Sequence, residues 1–231
     1  MTTQDEKIPK DEALRSLEDI VSPDIRSSFF SRSDEMGVRD NTLADHHADI
    51  AGIKLSSRVP ADVIIQFETA RNLYLYAWYV YRFYPVAQQQ ALASLELGLR
   101  HKIEKSIPKP PRTRQAVPTL RPLIRYAIDT GLIKNEGFRQ WHDYVQRRAE
   151  DRHRDEQIAA MLQAGDSTCE ILIADVVPNE QDRDYDYLAI LKETLPAIRN
   201  SLAHGSTNLS HQVLGIFVLV QEILDQVYKE T

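Results

Sequence analysis

The sequence predicts an all-α protein, a helical bundle, on three observations. Apolar residues recur near the 3.6-residue helical period in most stretches after residue 60. Turn formers separate several of those stretches, as in the proline-rich run 106–118, Gly131 and Gly205. The single run rich in β-branched residues, CEILIADVV at residues 169–177, has no obvious partner strand.

Taken in order, residues 1–60 read as a polar extension, partly ordered by docking rather than a second domain. Within it, residues 11–21 predict one short helix, with Leu14, Leu17 and Ile20 three apart. The first long helix is predicted over residues 61–84, where Val63, Phe67, Ala70, Leu73, Ala77, Val80 and Tyr81 keep the period. Pro85 suits the first turn of the next helix, because its missing N–H costs little there. That helix extends to about Ile103 on a stripe of Leu92, Leu95, Leu99 and Ile103, with Glu96 and Arg100 as an i,i+4 pair. SIPKPPRTRQAVP, at residues 106–118, is a proline-rich basic loop.

A short helix over residues 120–130 stops at Gly131, and a longer one follows over about residues 136–162. The RRAEDRHRDEQ run in the longer helix reads as a solvated face laced by charge pairs. Residues 169–177 favour a strand slightly over a helix. The last two helices are predicted over residues 185–202 and 210–228. Leu214, Val218 and Leu219 make the first half of the final one apolar nearly all round, which puts it in the centre of the core or in a subunit interface.

Composition limits the functions open to the chain. Of 231 residues, 42% are hydrophobic and 27% charged, the profile of an ordinary soluble protein. The net charge of -6 supplies no general basic field, so any RNA contact must use a local cluster. One cysteine, Cys169, excludes an intramolecular disulfide framework and fits a reducing compartment, here the cytoplasm. The amino-terminal residues carry no apolar signal-peptide core, and the apolar run 213–220 is too short to span a bilayer.

The stretch RNSLAHG, Arg199 to Gly205, is the strongest chemical signal. An arginine can hold phosphate charge, and an imidazole can move a proton near neutral pH. On an unbroken helix, Arg199 would sit at about 20° and His204 at about 160° from Leu188, so one phosphate could not meet both. A kink at Pro196, helix termination near His204 before Gly205, or a site shared by two chains would each relax this. Read as structural residues, Arg199 would pair with Glu193 and His204 would face the helix dipole.

Two weaker constellations accompany it. Lys109, Arg112, Arg114 and Arg121 form the best candidate for a phosphate-tracking patch. ADHHAD, at residues 44–49, groups two carboxylates and two histidines, but no second ligand cluster matches it. It reads as a polar turn or helix start, and no metal or other cofactor is expected.

The RNSLAHG motif after an amphipathic helix, followed by a polar loop and a last apolar helix, resembles the HEPN superfamily, as does the AQQQALASLELGLRHKI stretch. The resemblance spans roughly residues 61–103 and 185–228. It implies a four-helix core within residues 61–231, with residues 106–184 as a helical insertion and 1–60 as an extension. It further implies a metal-independent endoribonuclease of a toxin–antitoxin or defence type, working as a homodimer on RNA and sparing DNA, with a cognate antitoxin or regulatory protein among its partners. Arg199, Asn200 and His204 would be its catalytic residues. Some members are instead silent modules that bind RNA or protein, which is the alternative expectation.

Overall fold

The computed structural model describes residues 8–35, 37–107, 118–168, 170–171, 173, 175–205 and 209–229. Helices dominate them, as predicted: α1 (Leu43–Ala51), α2 (Ala61–Tyr76), α3 (Phe83–Ile103), α4 (Leu120–Asp129), α5 (Arg139–Ala164), α6 (Glu180–Arg183), α7 (Tyr187–Ala203) and α8 (Leu214–Val227). The described residues form one sheet, a hairpin of β1 (Ser31–Asp34) and β2 (Gly37–Asp40) that pairs Ser31 with Asp40. No described helix is long and apolar enough to cross a membrane.

Helix α3 is the hub, packed against α2, α4, α7 and α8. Its composition explains how it can be surrounded. Leu92, Leu95 and Leu99 fill the core, while Ala87, Ala91 and Gly98 let neighbouring helices approach closely. One face of α8 lies in the core: Phe217, Val220, Ile223 and Leu224 are each fully buried, while Leu214, Ile216 and Val218 are half-buried.

Several boundaries differ from the sequence expectation. The first long helix ends at Tyr76, eight residues early. Its pattern continues, but its backbone is diverted: the Trp78 carbonyl accepts from Asp24 N (3.0 Å) and from Ser27 Oγ (3.0 Å). The Tyr81 N–H donates to the Asp24 carboxylate at 3.1 Å. The helix predicted at residues 11–21 is only a 3-10 turn at Lys10–Glu12. Leu14 and Leu17 stay 100% and 89% exposed, so no apolar face docks to hold an isolated short helix, which is marginal in water. Residues 169–177 show no strand among those described, as there is no partner edge to pair with. Helix α7 runs through Pro196, which lies buried inside it.

The amino-terminal extension docks on the α2–α3 junction through a buried acid. Asp24, 2% exposed, caps its own 3-10 turn and pairs with Arg26 at 2.8 Å. Glu12 adds ion pairs to Arg26 and Arg82.

Two predictions follow from this packing. A Cβ on Gly98 would lie 2.6 Å from Leu224 Cδ2 and 3.3 Å from Val63 Cγ1. Gly98→Val should therefore lower stability by about 1–3 kcal/mol, despite removing a helical glycine, because overpacking outweighs propensity. Urea unfolding measures it, and an unchanged midpoint would refute the close approach.

Burial pushes the Asp24 carboxyl up, but bonds from the Arg26 guanidinium and from the Arg26 and Tyr81 N–H groups outweigh it and hold it below its ordinary value of 3.8. A depressed carboxylate stabilises the fold above its unfolded pKa, and that stability is lost as pH falls through the folded pKa. The extension should loosen below about pH 4, seen as faster proteolysis of residues 8–35, and Asp24→Asn should be loose already at neutral pH.

Candidate functional site

Helix α7 grows from an Asp186 cap and buries Leu191 and Leu195 against the core. Its last turns set the motif residues. Arg199 lies half-buried on the flank toward α3, while Asn200 is exposed. The helix closes at His204, whose N–H donates to the Asn200 carbonyl at 3.0 Å. Gly205 follows with φ 86, the left-handed geometry that ends a helix and that glycine adopts freely. Helix termination at His204 is thus as the sequence predicts.

The Arg199 guanidinium does not reach Glu193. Its Nε donates to Glu96 Oε2 at 3.2 Å. Glu96 is the only acid on the buried side of α3 among the described residues, with its side chain 5% exposed. The expected Glu96–Arg100 pair also forms, so one carboxylate holds two arginines. Glu193 is taken by two others, Arg121 Nη1 at 2.9 Å and Arg125 Nη2 at 3.1 Å. Bonds from Arg125 and Arg121 hold the Glu193 carboxyl below its usual range.

Each of these clusters sets two cations against one carboxylate. Helices α3, α4 and α7 therefore carry surplus positive charge around Arg199 in an otherwise acidic protein. Arg100 also donates through Nε to the Pro118 carbonyl at 3.1 Å, fixing the segment that leads into α4. Lys109, Arg112 and Arg114 lie outside the described residues, just before that anchor. Of the predicted basic patch, Arg121 alone can be placed, at the start of α4 and 42% exposed.

His204 is exposed, and its imidazole has no partner among the described residues. Five residues of helix separate it from Arg199, a rotation of about 140°. One chain therefore does not turn both onto one phosphate. Asn200, one residue beyond Arg199, is solvent-facing and free to follow either.

Glu96 is the partner of Arg199 that the motif alone did not disclose. The signal was present: Glu96 lies four residues after Leu92 and three before Leu99, on the buried stripe. A charge at such a position demands a partner from another element.

In ADHHAD the acids are already committed, Asp45 to Arg39 at 2.7 Å and Asp49 to Arg32 at 2.5 Å. His46 is buried in α1, its Nε2 2.9 Å from the Tyr74 carbonyl. No group of three or more potential metal ligands gathers among the described residues.

Comparison with known proteins adds no relative: no family model matches the chain, and neither does a curated protein or a solved structure.

Glu96→Gln keeps the side-chain shape and removes the charge that two guanidiniums share. It should cost about 1–3 kcal/mol, because the arginines lose a charged acceptor. Denaturant unfolding tests this, and Arg199→Gln placed on top should recover part of the loss.

Proposed function

We propose that the protein is a metal-independent endoribonuclease of the toxin–antitoxin or defence type, acting as a homodimer. The observation that carries this reading is Arg199, held by Glu96 beside a second cation, Arg100, on the same helix end as an exposed imidazole with no partner among the described residues. The 140° offset supports a two-chain site, in which Arg199 of one protomer faces the His204 of the partner subunit or in which two His204 side chains face one scissile bond.

The chemistry balances with two imidazoles. One removes the proton from the RNA 2′-hydroxyl as its oxygen attacks phosphorus. The other donates a proton to the departing 5′-oxygen. Arg199 stabilises the crowded anionic phosphorane, and Asn200 donates a hydrogen bond to the phosphate or orients His204. The products are a 2′,3′-cyclic phosphate and a free 5′-hydroxyl. DNA lacks the attacking hydroxyl and is spared. A cognate antitoxin or regulatory protein would restrain the dimer.

The second reading, a silent helical module that binds RNA or protein, draws on one observation: Glu96 already satisfies Arg199, which is what a purely structural arginine requires.

The two readings separate on one set of variants. Under the catalytic reading, RNA cleavage persists in EDTA and yields cyclic phosphate ends. His204→Ala then lowers the rate by about 10²–10⁴-fold with the melting temperature unchanged. Arg199→Ala loses activity beyond its loss of folded protein. Full cleavage by His204→Ala, or cleavage that chelation abolishes, would overturn it. A monomer by sedimentation at micromolar concentration would overturn the shared site.

A further inference from the structure

Residues 12–24 form a loop whose two ends meet on one side chain. Glu12 pairs with the Arg26 guanidinium at 2.8 Å, and Asp24 pairs with it at 2.8 Å. Inside the loop, Arg15 donates through Nη1 to the Asp19 carbonyl at 2.9 Å and to the Ser22 carbonyl. Ser16 Oγ accepts from Asp19 N at 3.2 Å, and Ser22 N donates to the Asp19 carbonyl at 3.0 Å. A compact loop with joined ends and bonds of its own is an Ω-loop, a form that is frequently functional.

This loop is built inside out. Its arginine is turned inward, with the side chain 23% exposed, while Leu14 is 100% and Leu17 89% exposed. Ile20 and Val21 in the loop, and Ile25 and Phe29 in the 3-10 turn after it, are exposed as well. These six are a third of the eighteen exposed large apolar side chains among the described residues, gathered within a stretch of sixteen. Single apolar residues are ordinary on a protein surface, but a concentration of them marks a surface that binds. The internal bonds hold the loop before anything docks, so little ordering entropy opposes docking.

Three features name the occupant. Asp11, Glu18 and Asp19 are exposed beside the apolar side chains and repel an anionic membrane or a nucleic-acid backbone. The amount of surface suits a pairing of like with like. At about 80–100 Å² for each side chain, six from each of two protomers withdraw about 1,000 Å² from water, the size at which a specific interface holds. The patch also lies toward the end of the bundle from which His204 emerges. Phe30, the residue after Phe29, lies 4.3 Å from the His211 ring, and His211 is seven residues from His204, at most about 25 Å of chain.

We propose that this loop and the turn after it are the seam of a homodimer, in which the patch of one protomer packs on the same patch of a second copy about a two-fold axis. The seam rests on the homodimer of the proposed function and names the surface that makes it. Hydrophobic contact is non-directional, so an apolar patch can face its own copy without charge partners. Both copies carry acids at the rim, so salt screens their repulsion and does not loosen the seam.

Sedimentation equilibrium of the full chain tests the seam. The wild-type chain should dimerise with Kd below about 10 µM. Leu14→Ser combined with Leu17→Ser should raise that Kd at least about tenfold with the helical circular dichroism unchanged, because neither side chain packs on the fold. Ile65→Ser, which removes an exposed isoleucine on α2, should leave the Kd as it was. Raising NaCl from about 0.1 M to about 1 M should hold or lower the Kd. The seam is overturned by a weaker wild-type Kd, by a smaller effect of the double variant, by an equal effect of Ile65→Ser, or by a Kd that rises with salt. Binding to phosphatidylcholine vesicles that the double variant loses would also overturn it, by giving the patch to a lipid surface. RNA cleavage separates this result from the nuclease reading. A monomeric double variant that still cleaves fully would sink the shared catalytic site and leave the seam standing. A double variant that stays dimeric would sink the seam and leave the site standing.

Discussion

A carboxylate in the middle of the central helix organises much of this molecule. Glu96 sits on the buried side of α3, in the hub against which four other helices pack. An ionised carboxyl there is expensive unless its oxygens are met by charged donors. Arg100 supplies one from the same helix, and Arg199 supplies the other from α7. The ion pair therefore fixes how α7 lies on α3, and with it the direction in which the chain emerges at His204. Arg100 passes the constraint on through the Pro118 carbonyl to the start of α4. One buried charge thus ties three helices to a common arrangement, and its two partners leave that end of the bundle cationic.

A similar device holds the amino-terminal extension. Asp24 takes donors from Arg26 and from the Tyr81 backbone, and the Trp78 carbonyl is met by Asp24 N and Ser27 Oγ. These bonds satisfy backbone groups that a continuous α2–α3 helix would have satisfied internally. The break between α2 and α3 and the docking of the extension are one event. A cavity beside the break depends on it, since Tyr74 and Tyr84 flank the break while Phe30 and Asn41 arrive with the extension.

Arg199 stands where structure and chemistry overlap. A guanidinium held by a buried carboxylate is pre-positioned, and a pre-positioned cation is what a developing phosphorane needs. The same bond would also serve a helix that does nothing but pack. The imidazole of His204 differs in kind: it is exposed at a helix end, with no described partner to hold it for the fold's sake. That asymmetry makes His204 the more discriminating of the two residues.

The sequence by itself determined the long helices after residue 60 and which faces they bury. The Leu92–Leu95–Leu99 stripe, the end of α7 at His204 and Gly205, the Glu96–Arg100 pair and the apolar first half of α8 all follow from spacing, since helical period and capping are local properties. It did not determine where helices break or whom charges meet. The period of residues 61–84 runs on past Tyr76 because aromatic residues satisfy it equally well in a turn, and only the docked Asp24 diverts the backbone. Leu14, Leu17 and Ile20 carry helical spacing without a surface to bury it. Arg199 could be seen to need a carboxylate, but Glu193 was nearer in sequence and Glu96 nearer in space. Tertiary structure decided that choice because an ion pair depends on distances between elements, which spacing along one element does not encode.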